Sequence, residues 1–270
     1  MARAKRLLAA VAGALLSVGP LGVAPPAGAV VGGQEARPHQ YPFMAGLVDV
    51  LERRVMCGGA LIGDRYVLTA AHCLTGSYSD PARVGVLLGD HDLASGSDSP
   101  HAVVARPARF VPHPEYDPGT QRNDIALVEL DRPLALNRDV RPVELPGPAA
   151  PGSTDGARVE APGWGTTSFG GRTSDVLRTV DLTALSNAVC ASRGMAQVAP
   201  TQLCTYAPGR DTCQYDSGGP LVRVLRGRPY VVGLVSYGRE CATDTPAVNT
   251  RVRSYLSWIE RVTGRPAGAS

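Results

Sequence analysis

Lysine is almost missing from this chain of 270 residues: Lys5 is the only one, and the other cationic side chains are arginines. A strongly G+C-biased coding sequence, which also favours Ala, Gly, Pro and Arg, accounts for that without a functional claim. An excess of positive charge is lacking too. The formal net charge of +3 resides in Arg3, Lys5 and Arg6, and taking these three from the 27 cations leaves 24 against 24 acidic residues. From Val30 onward the chain is formally neutral, so charge gives no support for a nucleic-acid or membrane partner. No CxxC pair stands beside a second such pair or a histidine couple, so the cysteines do not read as zinc ligands. There is no repeat of fixed period and no long low-complexity segment. Nor is there a clean membrane span: the apolar stretch 7–18 is broken by Gly13 and Ser17, runs into Gly19 and Pro20, and lacks a basic stop.

What stands at the amino end instead is a basic start, that short apolar stretch, Pro25-Pro26 and the small-x-small tripeptide Ala27-Gly28-Ala29. This is the layout of a secretory signal, so residues 1–29 are expected to be removed and the remainder to be a soluble, extracellular protein. All six cysteines lie after it, and an even number in an exported chain implies three disulfides, although spacing alone does not select the pairing. The length allows one large β domain or two modest ones. Short β-branched or apolar runs at 59–62, 66–69, 84–88 and 125–130, punctuated by Gly, Pro, Asp and Ser, predict an all-β sandwich or barrel. The proline-rich stretch 137–151 reads as a linker between halves at about 43–136 and about 152–251. Val252, Tyr255, Leu256, Ile259 and Val262 fall at helical spacing, which predicts an amphipathic helix over about 252–263, stopped by Gly264 and Pro266.

Three strings carry chemistry: Thr69-Ala70-Ala71-His72-Cys73, Arg122-Asn123-Asp124-Ile125-Ala126-Leu127 and Cys213-Gln214-Tyr215-Asp216-Ser217-Gly218-Gly219-Pro220. A serine hydroxyl is a weak nucleophile at neutral pH and needs a base, and the base needs a carboxylate to fix its tautomer and stabilise its charge. His72, Asp124 and Ser217 supply those three types of group. Taken singly, each has a duller reading as a packed histidine or a turn residue.

In this order and within these strings, they resemble the chymotrypsin- and trypsin-like serine peptidases. The resemblance extends from Val30-Val31-Gly32-Gly33 through Gly163-Trp164-Gly165 and Ser236-Tyr237-Gly238 to the terminal helix. It implies an all-β fold of two six-stranded antiparallel barrels with a C-terminal α-helix, and a cleft to which the first barrel brings His72 and Asp124 and the second Ser217. It further implies bridges Cys57 with Cys73, Cys190 with Cys204 and Cys213 with Cys241. The oxyanion would be held by the backbone NH groups of Tyr215 and Ser217. Tyr215 departs from the family's usual glycine, which puts in question the backbone angles of that loop and the room on the leaving-group side. Asp211, six residues before the serine, matches the base of a pocket for Arg or Lys, with Ser236, Gly238 and Ala247 also at substrate-binding positions. Ala247 replaces a usual glycine, and Asn249 stands where tyrosine is common. In an activated enzyme the α-amino group of Val30 would pair with Asp216.

The resemblance thus implies a secreted endopeptidase acting on proteins or peptides through an acyl-enzyme, with protein inhibitors as further partners and monomer as the default. No cofactor and no metal are expected. Asp90, Asp92 and Asp98 occupy a loop that binds calcium in some relatives, but no acidic residue closes its far end. His39, His91, His101 and His113 carry no motif. The alternatives are a non-catalytic homologue serving as a binding module, and an active peptidase with non-tryptic primary specificity.

Overall fold

The computed structural model describes residues 30–96, 98–147, 153–195 and 197–266. The expected signal, 1–29, and positions 148–151 of the expected linker lie outside the described residues. Two antiparallel sheets carry the fold. The first has the order β6 (Val103–Ala105), β5 (Val84–Leu88), β2 (Met44–Asp49), β3 (Arg54–Leu61), β4 (Tyr66–Thr69), β8 (Ala126–Leu130) and β7 (Pro107–Pro112). Its two end strands are one chain segment interrupted only at Arg106, so the sheet curls round on itself. The second has the order β1 (Gln34–Glu35), β10 (Arg178–Leu185), β11 (Gln202–Tyr206), β14 (Ala247–Arg251), β13 (Arg228–Tyr237), β12 (Pro220–Leu225) and β9 (Arg158–Gly163). Strand β9 also pairs with β10, which closes six of these strands into a barrel.

Strands β4 and β5 coincide with the apolar runs that predict them, and β5 is buried at every position, as expected of a strand covered on both faces. Each sheet encloses its own core. Leu47, Leu61, Leu68 and Leu127 fill the first, and Val159, Leu182, Leu203 and Leu221 the second. Val30, the first described residue, is fully buried in the second core.

At the carboxyl end, Val252–Tyr255 winds as a tighter 3-10 turn before α2 (Leu256–Thr263), so regular α-helix starts four residues later than the apolar spacing suggests. Gly264 ends it at φ 69°, donating its NH to the Glu260 carbonyl. A second short helix, α1 (Asn187–Ser192), has no counterpart in the sequence reading. Its six residues are too few for a periodic pattern, and its cap, Ser186 accepting from the Val189 NH, is one residue.

The sheets meet where β3 passes the loop before β12. The Gly58 NH donates to the Ser217 carbonyl at 2.7 Å, and a Cβ on Gly58 would stand 2.8 Å from the Gly219 Cα. Gly218 has φ 76°, and a Cβ there would lie 2.2 Å from Thr69 Oγ1. Only glycine permits this approach, which fixes the 213–220 loop of the second sheet against the first.

Candidate active site

His72 lies on the 3-10 turn Ala71–Leu74 directly after β4, and the Cys57–Cys73 disulfide ties that turn to β3. Asp124 precedes β8 and is fully buried. Its Oδ1 accepts from the His72 NH at 2.9 Å, and its Oδ2 sits 2.8 Å from His72 Nδ1. Bonded there, the imidazole keeps Nε2 free to face the cleft. Two residues of the second sheet hold Asp124 in place: the Ser236 hydroxyl donates to Oδ2, and the Thr250 hydroxyl donates to the Asp124 carbonyl at 2.7 Å. Cys73 Sγ lies 3.8 Å from His72 Nε2 and 3.6 Å from the Ser217 carbonyl oxygen, so that bridge touches both the imidazole and the backbone of the serine.

The loop carrying Ser217 is bent around Asp216. Its carboxylate, 1% exposed, accepts from the NH groups of Cys213 and Gly165, each at 2.9 Å. Burial pushes this carboxyl up to about 7, and the charge of Asp211 adds to the rise, against the downward pull of those two amides. Next to it, Tyr215 has φ 73°, in the left-handed region that favours glycine. The tyrosine thus adopts a strained conformation in which the family's usual glycine would be at ease. Its ring is half-buried under Arg54, whose Cζ is 5.2 Å from the ring centroid.

A cavity of about 270 Å³ opens from Ser217 and has Asp211 in its wall, together with Ser236, Gly238 and Ala247. Asp211 accepts from the NH of Thr212 at 2.9 Å and of Ala242 at 3.2 Å. Burial pushes its carboxyl up to about 6, partly offset by these bonds. A Cβ built on Gly238 would come no nearer to Ala247 Cβ than 3.8 Å, so the extra methyl of Ala247 leaves the cavity continuous from serine to carboxylate. Asn249 is absent from that wall, its side-chain amide donating to Thr205 Oγ1 at 3.0 Å. Five lining residues escaped the sequence reading: Phe169, Thr212, Val235, Arg239 and Glu240. Arg239 and Glu240 follow directly on Gly238 and were open to inference by adjacency, whereas Phe169 comes from a distant loop and had no local signal.

The other two bridges are Cys190–Cys204, joining α1 to β11, and Cys213–Cys241, joining the serine loop to the cavity wall. Closing a loop of ~15 residues contributes about 3 kcal/mol in the chain-entropy model.

Buried carboxylate, imidazole, serine and an adjoining pocket on a pair of curled antiparallel sheets define a serine peptidase. The chain matches the Trypsin family model over residues 30–259. It is 40% identical over 237 residues to a chymotrypsin of Phaedon cochleariae, covering 86% of this chain and 81% of the relative. It is 37% identical over 261 residues to human granzyme M, covering 94% and 96%. Venom serine protease 34 of Apis mellifera is 34% identical over 236 residues, 85% of this chain but 57% of that longer relative. The chain belongs to the trypsin family and is a serine endopeptidase acting on protein substrates.

Proposed function

We propose that the protein is a secreted endopeptidase that cleaves after Arg or Lys through an acyl-enzyme formed on Ser217. His72 takes the serine proton as the hydroxyl attacks the carbonyl, then returns it to the leaving amine, while Asp124 fixes the imidazole tautomer and stabilises its cationic form. The NH groups of Tyr215 and Ser217 receive the oxyanion, one such donor contributing roughly 3 to 4 kcal/mol. The observation that carries the specificity is the single cavity joining Ser217 to the buried carboxylate of Asp211, an arrangement that suits a guanidinium or ammonium group. Protein inhibitors that present an arginine to the same cavity follow as partners, and a monomer is the working unit. Labelling with an active-site phosphonylating reagent is the direct test: one adduct on Ser217 in protein beginning at Val30, and none in Ser217→Ala. An unlabelled but folded protein would favour a binding module.

The activation reading rests on Val30 and Asp216. In the uncut chain Val30 is buried and held at φ 54°, a region that a β-branched residue occupies only under strain. Val31 is bridged to Asp211, whose NH donates to the Val31 carbonyl at 3.1 Å. Cutting before Val30 removes the strain and supplies an amine to a buried carboxylate whose partners, among the described residues, are backbone amides. That bond follows Ala29, with no Arg or Lys beside it, so an enzyme of the proposed specificity does not cut there itself. Signal peptidase acting at Ala27-Gly28-Ala29 would create the active terminus during export.

Self-cleavage offers a further check. Arg172 is exposed in the Gly170-Gly171 turn, but its carbonyl accepts from the Thr167 NH at 3.1 Å and Thr173 is bridged to Thr166. Cutting at Arg172 requires this turn to open, so the expected result is slow appearance, on storage, of a fragment beginning at Thr173. The fragment should be absent from Ser217→Ala. Terminal sequencing of an active preparation that never yields it would remove the idea.

A further inference from the structure

We infer that Tyr215 and Arg54 form the wall of a second specificity cavity, which takes a bulky apolar side chain from the leaving-group side of the substrate. The inference rests on the acyl-enzyme reading above. A cavity of about 690 Å³ begins at Tyr215 and shares no lining residue with the cavity that contains Asp211. The two flank the nucleophile loop, with Gln214 and Ser217 on one side and Tyr215 on the other. Since the Asp211 cavity receives the residue that donates the acyl group, the opposite flank lies on the path of the departing amine.

One wall of this second cavity is apolar. Val48 of β2, Val55 of β3 and Leu87 of β5 line it, with Leu93 beyond. Its outer rim holds Val50 and Val104, 42% and 58% exposed. A Cβ on Gly85 would touch both, at 3.6 and 2.9 Å, so the missing side chain there lets the two valines approach and extend the apolar surface outward. The charged lining residues are Arg53, Arg54 and Asp175, all exposed, and Asp90, which is half-buried. Arg54 is engaged by Glu52 and lies over the Tyr215 ring, so the two side chains form one surface. A tyrosine kept at φ 73°, where glycine would be unstrained, points to a use for its side chain. An unbranched apolar or aromatic side chain such as Leu, Met or Phe fits such a surface, whereas a charged one would lose its hydration against the valines.

Cleavage of a diverse peptide library by the mature enzyme, with both new ends sequenced, tests this. At one of the first three positions after the cut, Leu, Met and Phe together should be enriched over Gly, Asp and Lys by about 5-fold or more, the scale of discrimination available to an apolar subsite. Tyr215→Gly and Arg54→Ala should each bring that enrichment below about 2-fold. The enrichment is a ratio taken within one enzyme, so a general loss of activity does not imitate it. A wild-type enzyme that cuts with no apolar preference after the scissile bond overturns the inference, whichever residue precedes the cut, and so does an enrichment unaltered in both variants. A primary preference other than Arg or Lys would reject only the reading of Asp211. Absence of all cleavage would reject the acyl-enzyme reading and this inference with it.

Discussion

Asp211→Ser is expected to lower kcat/KM on arginyl and lysyl substrates by roughly 10²- to 10³-fold, the range for removing one partner of a buried ion pair. Reaction with a small acylating reagent that places nothing in the pocket should be largely retained, since the bonds joining Asp124, His72 and Ser236 are untouched. Equal loss on both, or a wild type that prefers aromatic residues, would show that the pocket is misplaced. The same substitution should stabilise the fold in one pH range only. The Asp211 carboxyl is raised from 3.8 to about 6 in the folded protein. A raised acid favours its neutral form in the fold, so full stability is present below the unfolded value and declines as pH rises toward the folded one. Above it, the buried charge costs on the order of 3 kcal/mol. The variant should therefore melt several degrees above wild type at pH 8 and close to it at pH 4. Below about pH 6 the wild type should also bind cationic substrates less well, because the pocket carboxylate is then protonated.

A protein that retains Gly28 and Ala29 ahead of Val30 is expected to lose activity by roughly 10²-fold or more, for want of a cation beside Asp216. Burial pushes that carboxyl up to about 7 despite its two amide partners, a sign that its charge is poorly compensated. Pairing with the free Val30 amine would draw it down and raise the amine above its reference of ~7.7 to 8.0. The stabilisation is then full below that reference and lost as pH rises through the folded value, so activity should fall on the alkaline side. Terminal sequencing of the mature protein combined with an alkaline activity profile measures both parts. Full activity with the upstream residues attached, or activity that survives acetylation of the Val30 amine before folding, would refute it.

What could be read from the sequence was what is local. The strings around His72, Asp124 and Ser217 mark chemistry because each places a reactive side chain at the end of a recognisable run, and the runs at 66–69 and 84–88 are strands for the same reason. Contacts between distant segments left no such trace. Thr250 bonded to the Asp124 carbonyl spans 126 residues, and nothing near either residue foretells it. His91, to which no role was assigned, is 4% exposed, and its carbonyl accepts from both Trp164 Nε1 and the Leu177 NH, joining the first sheet's loop to the second sheet. The reverse holds at Tyr215. The sequence marked it as an unusual residue, but only the backbone angle and the stacked arginine reveal how the loop tolerates it.

The short hydrogen bond from the Gly58 NH to the Ser217 carbonyl bears on how substrates enter. It stitches the nucleophile's own backbone to the opposite sheet, at a point where neither Gly58 nor Gly219 has room for a side chain. A clamshell motion, in which the halves swing apart to admit a bulky guest and close over it, would tear this stitch and carry the serine away from the imidazole. With that stitch in place the halves are expected not to swing, which leaves the bending to the guest. Polypeptide has to arrive already unfolded or as a protruding loop, so compact proteins should be cut at the rate at which their own segments detach rather than at any rate set by the enzyme.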